Sequence, residues 1–423
     1  MDVSLSVLQK VIIKGKIKPE EFLKFVLPKQ KKALLDVAEK IRGKRVVHIN
    51  AAAIGGGVAE ILQSLIPYLR SLGIESDWYV INPLVGKDFF EITNKFHNSL
   101  QGANIRITSK EWGKYKEINE KIAKELEGID CDVLVINDPQ PLLAGKLAHS
   151  KKHKVYISHI DTSTAHDALW GRVYPLIQGY HRIIFSNKNF VHGSLSKRKV
   201  RVFTPAIDPL APKQKLINYG KARRYLKKFG GIPAGVPLVV QVSRFDMWKN
   251  PIEVIGAFRI IQSMHPGAHL ALVGFNEAKD NPAAVVVYKD VRALAHKDPS
   301  IHLYFEVGKK NVPEFTNMVQ NGADIIVQNS IKEGFGLVVS EAMWKSKPVV
   351  GGPAFGIRKQ IVDGHNGFIV TTPQELANKI LLLLNNEKRR NRMGKAAREV
   401  VIKKFLFPRL VFDHLRVYLA CLK

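Results

Sequence analysis

Short apolar stretches rich in β-branched residues alternate along this chain with longer segments whose apolar positions recur at helical spacing. In the first half the short stretches fall at residues 45–50, 77–81, 131–136, 154–158 and 182–186 and predict strands. Residues 58–72 and 112–126 predict helices, the first closed by Gly73. Everything up to about residue 42 reads as helical, with Glu20, Glu21, Asp36 and Glu39 among many lysines. The pattern loosens between residues 204 and 219, where Pro205, Pro209 and Pro212 cluster and predict a linker. The second half resumes the alternation, with strands expected at 237–242, 269–274, 301–305, 324–328 and 348–351, a helix at 250–264 and another after Glu333.

Strands of this kind, separated by helices, belong to parallel sheets covered on both faces. The pattern therefore predicts an α/β chain of two doubly wound, Rossmann-like domains, residues 1–210 and 211–404, with a helix at about 405–423 packing back on the first. The carboxyl ends of the strands, where such sheets bind ligands, are expected to face a central cleft. A length of 423 residues suits two domains, and 46% apolar with 24% charged residues is ordinary for a globular chain. No apolar run approaches the ~20 residues that span a bilayer. Met1 to Lys18 alternates apolar and basic positions without a small-residue cleavage site and is not read as a signal peptide. With Cys131 and Cys421 the whole complement of cysteines, a reducing cytoplasm is the expected setting.

The net charge of +28 is the compositional outlier, densest at residues 197–201, 221–228 and 388–390. Such an excess attracts polyanions: phosphorylated small molecules, nucleic acid or an anionic membrane surface. Solvated helix faces are the simpler reading. Nucleic acid is disfavoured, because no recognition module, aromatic ladder or zinc finger accompanies the charge. A weak membrane-surface contact and a homodimer stay open. His149, His153, His159 and His166 lack metal-ligand spacing, so no metal site is expected.

Two loops of the second half gather chemistry. Arg244 and Lys249 follow a predicted strand, where two cations can clamp a diphosphate and stabilise it as a leaving group. In Glu333-Gly334-Phe335-Gly336-Leu337, followed by Glu341, one carboxylate lies in a glycine turn at a helix mouth and the other a turn into the helix. Glycines admit a ligand to the backbone, the helix N-terminus offers N–H groups to an anion, and carboxylates accept from hydroxyls. In the first half Gly55, Gly56 and Gly57 sit at a strand-to-helix turn but lack a dinucleotide fingerprint or a P-loop lysine. His159 and Asp161 follow another strand. A satisfied core histidine is the simple account of His159.

Arg244 and Lys249 followed by the Glu333 to Glu341 segment closely resemble the retaining nucleotide-sugar glycosyltransferases of the GT-B fold. Further segments resemble the trehalose synthases of that group: residues 50–62, Asn137-Asp138-Pro139-Gln140-Pro141, His159-Ile160-Asp161, residues 205–210, 341–345 and 360–364. Asn137 stands where that family usually has a His, and Ala51 to Ala53 where it is rich in Asn and Ser/Thr.

The resemblance implies transfer of glucose from a nucleoside-diphosphate glucose to glucose. UDP-glucose or ADP-glucose would be a co-substrate, with no tightly bound cofactor and no obligatory metal. It gives Arg244 and Lys249 the donor diphosphate, Glu333 with the backbone of Gly334, Phe335, Gly336 and Leu337 the transferred sugar, and Glu341 the ribose hydroxyls. Gly55 to Gly57 would approach donor phosphate or acceptor. His159 would touch the transferred sugar, and Asp161, with Asp138, Gln140, Asn137 and Gln63, the acceptor. Trehalose phosphorolysis and transfer to a lipid-linked acceptor are the enzymatic alternatives, and nucleic-acid binding the non-enzymatic one.

Overall fold

A computed structural model describes residues 6–423 except 14, 16, 152, 276–281 and 307–310. Part of the Met1 to Lys18 segment therefore lies outside the described residues. The chain divides into two compact units, one of residues 1–205 with 407–423 and the other of residues 206–406.

The first unit is built on strands β1 (Leu8–Lys10), β2 (Arg45–Asn50), β3 (Glu75–Ile81), β4 (Val133–Asn137), β5 (His153–Ser158), β6 (Arg182–Phe185) and β7 (Val200–Val202). Their order across the sheet is β1-β3-β2-β4-β5-β6-β7, and every pairing is parallel except β1 with β3. β2, β4 and β5 are buried almost throughout, as expected of central parallel strands, and this is what makes them near-continuous apolar runs. The N-terminal segment is not wholly helical. Leu8–Lys10 forms an antiparallel edge strand, and helices cover Pro19–Leu23 and Pro28–Lys40. The final helix, Phe407–Leu422, returns to this unit, where Phe407 packs on Tyr68 with ring centroids 5.2 Å apart.

The second unit carries β8 (Leu238–Val242), β9 (His269–Val273), β10 (Ile301–Tyr304), β11 (Ile325–Gln328), β12 (Val349–Gly351) and β13 (Gly367–Ile369), in the order β10-β9-β8-β11-β12-β13 and all parallel. Its core runs from Val239, Leu270 and Val327 to Phe258, Ile261, Leu376 and Ile380 on the covering helices.

Strand order reverses between β2 and β4 in the first unit and between β8 and β11 in the second. Consecutive crossovers there depart to opposite faces, which opens a crevice at the carboxyl ends of the two strands. Candidate residues gather at these positions: Gly55 and Gly56 after β2 with Gly57 opening the next helix, Asn137 at the end of β4 with Asp138 to Gln140 beyond it, Arg244 to Lys249 after β8, and Glu333 to Gly336 after β11 with Leu337 opening the next helix.

Among the described residues no helix is long and apolar enough to cross a membrane.

Candidate active site

In the second unit, the loop after β8 is shaped by Asp246, whose Oδ1 accepts from the N–H groups of Trp248 (3.0 Å) and Lys249 (3.2 Å). Gln241 secures its far end by donating to the Lys249 carbonyl (3.1 Å), and Asn250 turns the chain at φ 51° into the helix Pro251–Met264. The loop after β11 is held to it by the Ile331 N–H on the Trp248 carbonyl (2.8 Å). This pairing brings Lys249 Nζ to 2.5 Å from Glu333 Oε2, which also accepts from Ser330 Oγ (3.4 Å). Arg244 is more open and lies 3.4 Å from Asp246.

Gly336 caps the helix Leu337–Trp344 at φ 81°, a conformation that glycine adopts at least cost. Gln360, fully buried, donates to the carbonyls of Phe335 (2.5 Å) and Gly336 (3.2 Å) and fixes that turn. Gly334 and Leu337 are half-buried, whereas the Phe335 ring packs inward against Phe405. The arrangement sets a lysine–glutamate pair beside a helix mouth, whose first N–H groups have no partner within the helix. Cations and dipoles fixed in this way stabilise negative charge that grows on a departing group. Glu341 is placed differently: it is 1% exposed and covered by Lys213 and Gln320.

In the first unit Gly55 has φ 85°, Gly56 precedes the helix Gly57–Ser71, and the loop between β2 and that helix is tethered by Asn50 on Ala52 and Gln63 on Ala53. Asn137, Asp138 and His159 come together after β4 and β5. The His159 N–H donates to Asp138 Oδ1 (2.7 Å), and His159 Nε2 lies 3.1 Å from Asn137 Oδ1. Asp138 holds φ 61°, a costly conformation for a residue with a side chain and one that concentrates at functional sites. Asp161 is wholly buried, its Oδ1 taken by the N–H and hydroxyl of Ser163, and Gln140 is half-buried. No hydrogen bond joins Asp161 or Gln140 to the His159 cluster among the described residues.

Behind that cluster runs a chain of groups that sequence reading missed. Asn137 Nδ2 lies 3.5 Å from His48 Nδ1, His48 Nε2 3.0 Å from Tyr418 Oη, and Tyr418 Oη 2.9 Å from His414 Nδ1. His414 and Tyr418 arrive on the last helix of the chain, so no local signal announces them. Burial pushes the His48 imidazole down to about 3 and His159 to about 4, and His414 lies well below the ordinary value. Burial also raises the Asp138 carboxyl to about 7, against the lowering effect of the His159 N–H.

These shifts fix the sign of a pH effect. Below the ordinary histidine value of 6.5 the unfolded chain takes up protons that folded His48, His159 and His414 refuse, so their contribution falls as pH drops from about 6.5 toward 4. Asp138 acts in the opposite sense: the folded form holds a proton that the unfolded chain releases, between its ordinary 3.8 and about 7. Melting temperature is therefore expected to fall between pH 7 and pH 5, and Asp138→Asn to steepen that fall. A flat or shallower acid limb in the variant, followed by circular dichroism, would contradict the assignment.

Comparison with known proteins adds to this geometry. Residues 48–192 match the family model described as "Trehalose synthase, N-terminal domain", and residues 223–400 the one described as "Glycosyl transferases group 1". A trehalose synthase of Pyrococcus horikoshii is 35% identical over 425 residues, with 96% of each chain covered. That of Rubrobacter xylanophilus is 36% identical over 391 residues, covering 91% of this chain and 92% of the relative. Among solved structures, a sucrose-phosphate synthase from Thermosynechococcus elongatus shares the fold at a TM-score of 0.70 and 16% identity, over 89% of this chain and 98% of that one. The fold is GT-B.

Proposed function

The chain belongs to the trehalose synthase family of group 1 glycosyl transferases, and on that premise we propose that it moves glucose from a nucleoside-diphosphate glucose to glucose, forming trehalose with retention at the anomeric carbon. The observation that carries the reading is the contact of Lys249 with Glu333 at the crevice between β8 and β11, beside the glycine-capped helix mouth. Lys249 and Arg244 neutralise the departing diphosphate together with the N–H groups of that helix. Glu333 and the backbone of Gly334 to Leu337 orient the sugar, and Glu341 receives the ribose hydroxyls. In the first unit His159, held by Asn137 and Asp138, addresses the transferred sugar, and Asp138, Gln140 and Asn137 serve the acceptor glucose, with Asp161, wholly buried, bracing the chain after His159 through Ser163.

The bond from the anomeric carbon to the phosphate oxygen breaks on the face where the acceptor oxygen attacks, and the departing phosphate oxygen takes the acceptor's proton. No carboxylate nucleophile is needed, and Glu333 acts as an orienter. No bound cofactor or metal enters the scheme, and the reaction runs in the cytoplasm.

Incubation with UDP-, ADP- and GDP-glucose plus glucose is expected to give a non-reducing disaccharide and the matching nucleoside diphosphate, identified by NMR of the linkage. Turnover of trehalose with inorganic phosphate to glucose 1-phosphate, and none with any nucleotide, would overturn it in favour of phosphorolysis.

A further inference from the structure

Glu341 is the most enclosed of the charged groups in the donor crevice. Its Oε2 accepts from Gln320 Nε2 (2.7 Å), and its Oε1, sealed from solvent, lies 2.9 Å from Lys213 Nζ without a well-directed hydrogen bond. Burial pushes this carboxyl up, but Lys213, Lys345 and Gln320 together more than offset that and hold it below the ordinary carboxylate range. The group is therefore kept ionised and able to accept from hydroxyls, yet the oxygen that would accept them is already covered.

The covering residue belongs to the proline-rich segment that opens the second unit. Its main chain is pinned immediately after the contact: the Gln214 carbonyl accepts from Trp344 Nε1 (2.9 Å), the Lys215 carbonyl from Asn317 (3.0 Å) and Asn321 (3.2 Å), and the Ile217 N–H donates to Asn321 Oδ1 (3.0 Å). Gln214 Oε1 also accepts from Lys345 Nζ (2.9 Å). The movable part is the Lys213 ammonium, on a flexible stem with its side chain 20% exposed. None of these backbone bonds runs through that stem.

We propose that Lys213 is a displaceable counterion of the donor site, whose ammonium gives up Glu341 Oε1 to the ribose hydroxyls of a nucleoside diphosphate and turns toward solvent as they bind. The inference rests on Glu341 being the ribose acceptor. Ribose bonds then replace an existing ion pair, and the second cation at this carboxylate, Lys345, keeps it ionised during the exchange. Lys213 thereby sets how strongly the site favours a ribonucleotide over one without ribose hydroxyls.

The test is calorimetric titration of the full chain at pH 8 with UDP, ADP and GDP and with their 2′,3′-dideoxy counterparts. Wild-type protein is expected to bind a ribonucleotide more tightly than its dideoxy form, and Glu341→Gln to erase the difference. Lys213→Met is expected to tighten ribonucleotide binding about tenfold and to leave the dideoxy affinity unchanged. Lys213→Gln should act in the same direction, and Lys213→Arg should stay near wild type. The ratio within each variant is its own control for folding. If ribo and dideoxy affinities move together, or the ribonucleotide weakens in both Lys213→Met and Lys213→Gln, Lys213 is not a competitor and the proposal fails while the donor site stands. If wild-type protein does not discriminate between the two sugars, the reading of Glu341 fails first and takes the proposal with it.

Discussion

Lys249→Ala is expected to lower kcat/KM for the sugar-nucleotide donor about a thousandfold, the scale seen when one pre-positioned group that stabilises transition-state charge is removed. Two losses add. The leaving diphosphate forfeits a cation that is only 15% exposed, and Glu333, 14% exposed, is left without the ammonium now 2.5 Å away. The loop itself should persist, because Asp246 holds it through the backbone N–H groups of Trp248 and Lys249, which alanine retains. Arg244→Ala should cost less, about ten- to a hundredfold, since its side chain is 48% exposed and water screens its charge. Steady-state kinetics beside thermal melts check both. Activity of Lys249→Ala within tenfold of wild type, at an unchanged melting temperature, would remove Lys249 from the chemistry.

The central strands could be read from the sequence because burial on both faces leaves a near-continuous apolar run, as in Val133–Asn137 or Leu238–Val242, each with a single polar residue. β1 could not. Three residues long and two of them exposed, it exists through its pairing of Leu8 with Ile81 and of Lys10 with Tyr79, and nothing in residues 8–10 encodes a partner so far along the chain. Strand order was hidden for the same reason. The crevice that gives the Glu333 turn its place depends on β11 lying beside β8 and not beside β10, a choice made by long-range pairing.

The site divides along the same line. Glu333 stands out because charge beside glycine at a helix mouth has little structural use, and Lys249 because it shares a strand-to-helix loop with Arg244, although the contact between them spans 84 positions. Lys213 is one of the chain's 65 lysines and arginines and sits in the proline-rich linker, and only the packing of that segment on the helices Val312–Gly322 and Leu337–Trp344 sets it against Glu341. His48 and Tyr418 are 370 positions apart, so a buried chain between them has no local signature at all. Asp161 and Glu341 were read as ligand-facing, and in the structure both are covered by neighbours, since the sequence carries residue type and spacing but not burial.

Gly356→Ala should act on Glu333 from behind, through the backbone alone. A Cβ at this position in the short helix Phe355–Arg358 would stand 2.6 Å from the Glu333 carbonyl oxygen and 2.7 Å from both Cα and N of Phe335. None of these atoms is the end of a flexible side chain, so the turn itself must give way. That displacement stretches the bond from the Gly356 N–H to the Glu333 carbonyl (3.2 Å) and works against Gln360, which ties the Phe335, Gly336 and Gly356 carbonyls together. Overpacking of this kind costs about 1–3 kcal/mol, a fall of several degrees in the melting temperature. Because a shift of about 1 Å at a positioning group can cost a hundredfold in rate, kcat/KM for the donor should drop by about that factor. Gly235→Ala is the matched control, since nothing lies within 4 Å of its added Cβ. A variant that melts earlier yet transfers at the wild-type rate would show that the Glu333 turn can move without loss of chemistry, and Glu333 would then have to be an incidental partner of Lys249 and not an orienter of the sugar.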